Sequence, residues 1–295
     1  MKLQLIGVPS MLGCPNPGTE YAFATLMTEG LAEKAYFQGV TGQALTADVP
    51  RVPRQRTGVL YNPEEVMASC RSLDRMVTGA FEEGLFPFVI GGDHSLAIGS
   101  LAACLRRYGP ELCVLWIDAH TDINTDKTTV TGNIHGIPLA SAMGLCSDPS
   151  LRICHEYALK GENIFVLGGR SIDPPEQEIC RKEGVHLISP QQIRSDPEGI
   201  ARQVAEQVGD RPLYISFDTD VLDAKHFTAT GLPVPDGIGW DESRILLEQF
   251  CGMKNTVYFD CVEFCPPADP DKSACRKLLQ LLDTVFSTLS GHLEP

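Results

Sequence analysis

Three stretches of this 295-residue chain gather aspartate and histidine at spacings suited to a cation. They are Gly91-Gly92-Asp93-His94-Ser95, Asp118-Ala119-His120-Thr121-Asp122 and Ser216-Phe217-Asp218-Thr219-Asp220. Each follows a short apolar run with the composition of a buried strand. In extended chain, side chains alternate faces, so Asp118, His120 and Asp122 are expected to project to one side, as are Asp218 and Asp220. The paired glycines before Asp93 permit close backbone approach. Taken singly, each stretch has an ordinary explanation: a turn with a helix cap for the first, a solvated loop for an Asp-x-Asp strand end. Together, at the same ends of several strands, they fit a shared site, because buried charges need partners.

Charge counting gives that site its chemistry. His94 and His120 are neutral ligands, whereas Asp118, Asp122, Asp218 and Asp220 bring four negatives. Two divalent ions neutralise them and one does not. Donor sets rich in oxygen, with a single histidine per ion, favour manganese over zinc. Two ions about 3.5–4 Å apart can share a water, lower its pKa and present hydroxide near neutral pH. The expected centre is therefore that of a hydrolase.

Such motifs need elements that bring strand ends together. From residue 86 onward the chain alternates short apolar strands (86–90, 112–117, 163–167, 185–188, 213–217, 256–262) with helical stretches. Helices are expected at 95–108, from 134 or 135 to 143, at 148–159, at 173–183, from 190 or 196 to 208, at 241–251 and at 272–289. Before them come a strand at 3–8, a Gly/Pro-rich loop, a helix at 20–35, a short strand within 44–49 and a helix at 63–83 opened by Asn62-Pro63. Alternation of this kind predicts one α/β domain over residues 1–295: a three-layer α/β/α, doubly wound, mostly parallel sheet. Ligands of such folds bind outside the carboxyl ends of the strands, so motifs placed there count.

Composition narrows the partners. A formal charge of −14, from 38 acidic and 24 basic residues, argues against nucleic acid and anionic membranes and suits a cationic substrate or metal ions. No signal peptide or membrane span is expected. Eleven scattered cysteines without a Cys-x-x-Cys pair suggest a reducing, cytoplasmic setting, with no disulfide framework and no cysteine zinc site.

The sequences GGDHS, DAHTD and SFDTDVLD, in this order and spacing, resemble the ureohydrolases, the family of arginase, agmatinase and their relatives. The similarity runs from Leu3-Gln4-Leu5-Ile6-Gly7-Val8-Pro9 to the last strand. It implies two Mn2+ ions, one held by His94, Asp118, Asp122 and Asp218, the other by His120, Asp122, Asp218 and Asp220. The loop Asn124-Thr125-Asp126-Lys127-Thr128-Thr129-Val130-Thr131-Gly132-Asn133-Ile134-His135 looks like arginase rather than agmatinase. By position, Asn124 and Thr131 would contact the substrate α-carboxylate, with Thr129 and Asn133 in support; uncharged donors suit that task. His135 would shuttle protons or assist the leaving group. Glu263 would hold the guanidinium by charge-assisted hydrogen bonds. Asp173 and Glu176 match acids that read the α-ammonium, while Ser171 replaces a third. Asp173-Pro174 also reads as a helix N-cap with proline at the first position. Leu232 and Pro235-Asp236-Gly237 depart from the family's usual residues near the metals, and Asp260 is expected to be structural. His155, His186, His226 and His292 match no motif.

The resemblance implies hydrolysis of L-arginine to L-ornithine and urea by attack of a metal-bridging hydroxide, with Asp122 passing the proton onward. The alternatives are another guanidino substrate (agmatine, guanidinobutyrate or formiminoglutamate) and a non-catalytic family member. A homo-oligomer, trimer or hexamer, is expected on resemblance alone.

Overall fold

The computed structural model describes residues 2–37 and 44–291; His292 lies outside them. In chain order come β1 (Lys2–Gly7), α1 (Ala22–Leu26), α2 (Ala32–Phe37), β2 (Leu45–Thr46), β3 (Arg56–Thr57), β4 (Leu60–Tyr61) and α3 (Pro63–Glu82). Then follow β5 (Leu85–Ile90), α4 (Ala97–Tyr108), β6 (Cys113–Ile117), α5 (Pro138–Met143), β7 (Ile164–Leu167) and α6 (Pro174–Glu183). The chain continues through β8 (His186–Ile188), α7 (Pro190–Ser195), α8 (Pro197–Val208), β9 (Leu213–Asp218), α9 (Trp240–Cys251), β10 (Thr256–Val262) and α10 (Ser273–Ser290). Eight strands form one parallel sheet in the order β2-β1-β5-β10-β9-β6-β7-β8, and β3 pairs with β4 as a separate antiparallel hairpin.

Strand alternation divides the core into two layers. Leu115, Ile117, Ile215, Phe217, Phe259 and Phe88 point to one face, where α1, α8, α9 and α10 cover them. Val114, Trp116, Tyr214, Tyr258 and Val89 point to the other, under α3, α4 and α5. Strands buried on both faces read as continuous apolar runs, as residues 113–117 do and as 213–217 do apart from Ser216. Each fully buried Leu or Phe side chain contributes roughly 1.5–3 kcal/mol. The three-layer α/β/α arrangement is thus the one expected from alternation.

Register sets the level of the strand ends. Cys261 pairs with both Ile90 and Phe217, and Phe217 pairs with Ile117. The residues that follow on four adjacent strands, Gly91, Val262, Asp218 and Asp118, therefore emerge in one row. The polar motifs lie on that row because hydrogen-bond pairing aligns the apolar runs that precede them.

Two local expectations need correction. Residues 148–159 are not a helix: only Pro149–Leu151 make a single turn, capped by Asp148 Oδ1 accepting from Ser150 N at 2.9 Å. The helix expected at 20–35 is broken where Gly30 takes φ 110°, a conformation that interrupts α-helical bonding. Both starts expected for the helix ending at 208 are used: α7 opens at Pro190, and Asp196 caps α8 ahead of Pro197. Among the described residues, no helix is long and apolar enough to cross a membrane.

Candidate metal centre and guanidino pocket

The strand β6 ends at Ile117, so Asp118, His120 and Asp122 do not converge by strand alternation. Instead the chain bends. The Asp118 Oδ1 accepts from His120 N at 2.6 Å, Asp118 N donates to Leu167 O, and Asp122 takes φ 45°. A non-glycine residue in the left-handed region is held there by its surroundings, and such positions concentrate at functional sites. The end of β9 repeats the device: Asp218 Oδ1 accepts from Asp220 N at 2.8 Å and starts a one-turn helix. Short carboxylates that bond their own turn free the chain from the ladder while aiming the second oxygen outward.

His94 follows β5 through Gly91 and Gly92. A Cβ on Gly92 would lie 1.8 Å from Ser10 O, so glycine is required for the β1 loop to pack here. Asp93 is fully buried and ties that loop down, accepting from Ser10 Oγ and Gly13 N. Around His94 the geometry is tight. Its Nδ1 lies 3.1 Å from an oxygen of each of Asp118, Asp122 and Asp218. His120 Nδ1 is 2.9 Å from Asp220 Oδ2 and 3.4 Å from Asp118 Oδ1. Two sets, His94-Asp118-Asp218 and Asp118-His120-Asp220, have their donor atoms close enough together to hold an ion each.

The donor set fits cations on its own chemistry. Ser216 Oγ donates to the buried Asp260 Oδ1 at 2.5 Å and therefore accepts from His94 Nε2 at 2.7 Å. That leaves Nδ1 facing three carboxylates, and both Nδ1 and Asp118 Oδ2 are buried without a hydrogen-bond partner. Orphaned buried groups of this kind are rare and costly. A spacing of 3.1 Å is that of neighbouring ligands around an octahedral cation with bonds of about 2.1–2.2 Å. The local electrostatics agree. Burial and Asp118 push Asp122 up to about 7, and burial with the neighbouring aspartates raises Asp218 and Asp220. Burial works against an imidazolium at His94, yet its three carboxylate neighbours carry its pKa well above the ordinary value. The cluster is short of positive charge.

Ser216 and Asp260 escaped assignment to the site in the sequence, although Ser216 sits two residues before Asp218 on the same strand face. Asp260 was expected to be structural; it lies fully buried, accepts from Tyr214 OH at 2.9 Å as well, and so orients the His94 ring through Ser216. Trp116 stacks on His94 at 4.0 Å between centroids.

Beside this cluster opens a cavity of about 180 Å³. His120, Asp122, Asp218, Asp220, Asn124, Thr131, Asn133, His135, Asp173, Glu176 and Glu263 all line it, together with Ser171 and Leu232. His94 and Asp118 sit beneath it. Thr129 is not on its wall; its hydroxyl accepts from Gly132 N at 3.1 Å and shapes the loop. Glu176 has its carboxylate engaged by Thr121 Oγ1 (2.8 Å), Ile123 N (3.2 Å) and Asp173 N (2.9 Å), which makes it a brace between α6 and the loop after β6. Asp173 is exposed, and its Oδ2 accepts from Asn124 Nδ2 at 3.3 Å. Glu263 takes φ 62°; its Oε1 accepts from His94 N at 2.9 Å and from His135 Nδ1 at 3.1 Å, while Oε2 is buried with no partner. Burial opposes a charged His135, but Glu263 outweighs it and raises the pKa. A larger cleft of about 740 Å³ lies against α3 and the β3–β4 hairpin, but none of its lining side chains leaves a buried polar atom unpartnered.

The Arginase family profile matches residues 1–285. The arginase of Bacillus subtilis is 31% identical over 292 residues, covering 96% of this chain and 97% of its own. Arginase-1 of Sus scrofa is 35% identical over 83% of this chain and 79% of its own. Among solved structures, the Entamoeba histolytica arginase in complex with L-ornithine superposes with a TM-score of 0.89 at 26% identity, covering 97% of this chain and 99% of that one. A Burkholderia thailandensis protein described as a hypothetical agmatinase shares the fold alone, at 16% identity and a TM-score of 0.79. This chain is a hydrolase of guanidino C–N bonds, and it belongs to the arginase family.

Proposed function

We propose that the chain hydrolyses L-arginine to L-ornithine and urea, with two manganese ions, as one catalytic domain. The observation that carries this reading is Glu263 Oε2: a buried carboxylate oxygen with no partner among the described residues, on the wall of a cavity that reaches the aspartate cluster. A guanidinium satisfies such an oxygen with a charge-assisted hydrogen bond. One ion would be held by His94, Asp118, Asp122 and Asp218, and the other by His120, Asp122, Asp218 and Asp220. Bound, these cations supply the acidity that makes water a nucleophile near neutral pH.

The side chains divide the remaining work. Glu263 fixes the guanidinium carbon above the cluster, which is a positioning contribution. Asp122 accepts the proton shed by the attacking water and passes it to the departing amine. His135 donates a hydrogen bond from Nδ1 to Glu263 Oε1, so its Nε2 is the atom available to exchange a proton with product. At the far end, Asn124, Thr131 and Asn133 offer uncharged groups to an α-carboxylate, and Asp173 faces an α-ammonium. Thr129 and Glu176 support from behind. Eleven free thiols suit the proposed cytoplasmic setting, and the proposed assembly is a homo-oligomer.

A guanidino panel tests the assignment: urea release from L-arginine, agmatine, guanidinobutyrate and formiminoglutamate, with and without added manganese. L-Arginine is expected to give the highest kcat/KM, and only with metal. Faster turnover of agmatine would overturn the substrate, and two bound ions without product from any of them would overturn the catalytic reading.

A further inference from the structure

We infer that Arg54 is a positioning residue for substrate specificity: it turns the Asn133 amide so that one wall of the cavity offers only donors, and thereby selects substrates that carry an anionic group. The inference rests on the guanidino-hydrolase reading above and concerns the end of the substrate remote from the scissile bond.

Arg54 precedes β3, outside every motif singled out in the sequence. Its guanidinium is held on three sides. The Nη2 donates to Asn133 Oδ1 at 2.5 Å, Nη1 donates to Cys14 O at 2.9 Å, and the central carbon lies 3.5 Å from the centroid of the Tyr61 ring. Those partners are an amide, a carbonyl and an aromatic face, none of them a carboxylate. None of those three partners offsets the guanidinium charge, which lies against Asn133 Oδ1. Planar, permanently charged and stacked, it is the side chain least able to release that contact by rotation or deprotonation.

An asparagine can present either end of its amide to a cavity, and the two ends prefer opposite charges. A cationic donor on Oδ1 decides between them: the oxygen faces Arg54, and the Nδ2 hydrogens are left for the cavity. Among the described residues, no hydrogen bond takes up those Nδ2 donors. Asn124 differs, because its Oδ1 accepts from Thr128 Oγ1 and its Nδ2 donates to Asp173. The rest of the lining is rich in carboxylates, with Asp122, Asp173, Glu176, Asp218, Asp220 and Glu263. Of the uncharged groups on this wall, Asn133 is the one with a fixed positive charge bonded behind it, at Arg54. A substrate carboxylate belongs there, and agmatine, which has none, gains nothing from it.

The test uses the manganese-loaded full chain with Arg54→Gln and Arg54→Lys, and steady-state kinetics on L-arginine and agmatine. Arg54→Gln is expected to raise KM for L-arginine about tenfold, the scale of one hydrogen bond to a charged group, with kcat within about twofold. KM for agmatine should stay unchanged, and Arg54→Lys should recover part of the loss. Asn133→Asp, which keeps the Arg54 contact but removes the donors, should raise the L-arginine KM in the same selective way if Arg54→Gln does not fold. A parallel rise for both substrates would make Arg54 a structural staple only, and an unchanged KM ratio in both folded variants would likewise overturn the inference. Wild-type protein that yields urea from neither compound would instead strike the functional reading, a distinct failure visible before any variant is made.

Discussion

Glu263 shows how one residue can be committed on one side and free on the other. Its Oε1 is taken by His94 N and His135 Nδ1, its backbone is left-handed, and its Oε2 has no partner among the described residues. Close approach of the neighbouring loop is possible because position 231 has no side chain; a Cβ there would lie 2.4 Å from Oε2. Glu263→Gln keeps the shape and loses the charge. We expect kcat/KM for L-arginine to fall about 10- to 100-fold, the worth of a charge-assisted hydrogen bond of roughly 1.5–3 kcal/mol, with manganese content unchanged. Steady-state kinetics beside metal analysis would check this; loss of metal would mean that Glu263 supports the cluster rather than the substrate. At this scale the metal motifs could be read directly, because carboxylate and imidazole types announce their chemistry. Ser216 and Asp260 could not, since a serine or an aspartate on a strand face carries no sign of what lies across the sheet.

Among elements, the decisive feature is that β5, β10, β9 and β6 are adjacent although they are far apart in sequence. Their ends emerge in one row, which places Asp218 and Asp118 side by side and brings Glu263 and His94 in one and three residues further on. The junction between β5 and the turn that carries His94 depends on close backbone contact with the β1 loop. Gly92→Ala would push a methyl group against Ser10 O. Overpacking of this kind costs about 1–3 kcal/mol, and more where backbone rather than side chain must yield. The expected outcome is a lower melting temperature together with weaker metal retention, measured by thermal unfolding and metal analysis. An unchanged melting temperature would show that the β1 loop moves aside freely. Apolar runs bounded by Gly and Pro revealed these strands in the sequence. The stretch 148–159 misled because its polar and apolar spacing resembles a helix, whereas Asp148-Pro149 starts only one turn and nothing after it sustains the ladder.

Across the whole molecule, four aspartates and two histidines are packed on or next to the wall of one cavity in a chain of net charge −14. Burial of like charges without compensation is costly, so cations that bind only the folded state should stabilise it. Saturating manganese at about a hundred times its dissociation constant is worth roughly 2.7 kcal/mol per site. Chelation is therefore expected to lower the melting temperature by about 5–15 °C, and restored manganese to recover it. Calorimetry with and without chelator is the measurement, and an unchanged transition would argue against a folded-state metal site. By itself, the sequence determined the alternating α/β class, the identity of the candidate metal ligands and the polar character of the loop after them. Those follow from local rules: residue type sets ligand chemistry, and apolar period sets strand or helix. Only the tertiary structure decided which strand ends meet and that Asp118, His120 and Asp122 converge through a bend rather than along a strand. It also decided that Glu176 braces the loop while Glu263 keeps an oxygen free, and that Arg54 stands behind Asn133. Such assignments depend on pairing between residues remote in sequence, and on which hydrogen-bonding groups the fold leaves unsatisfied.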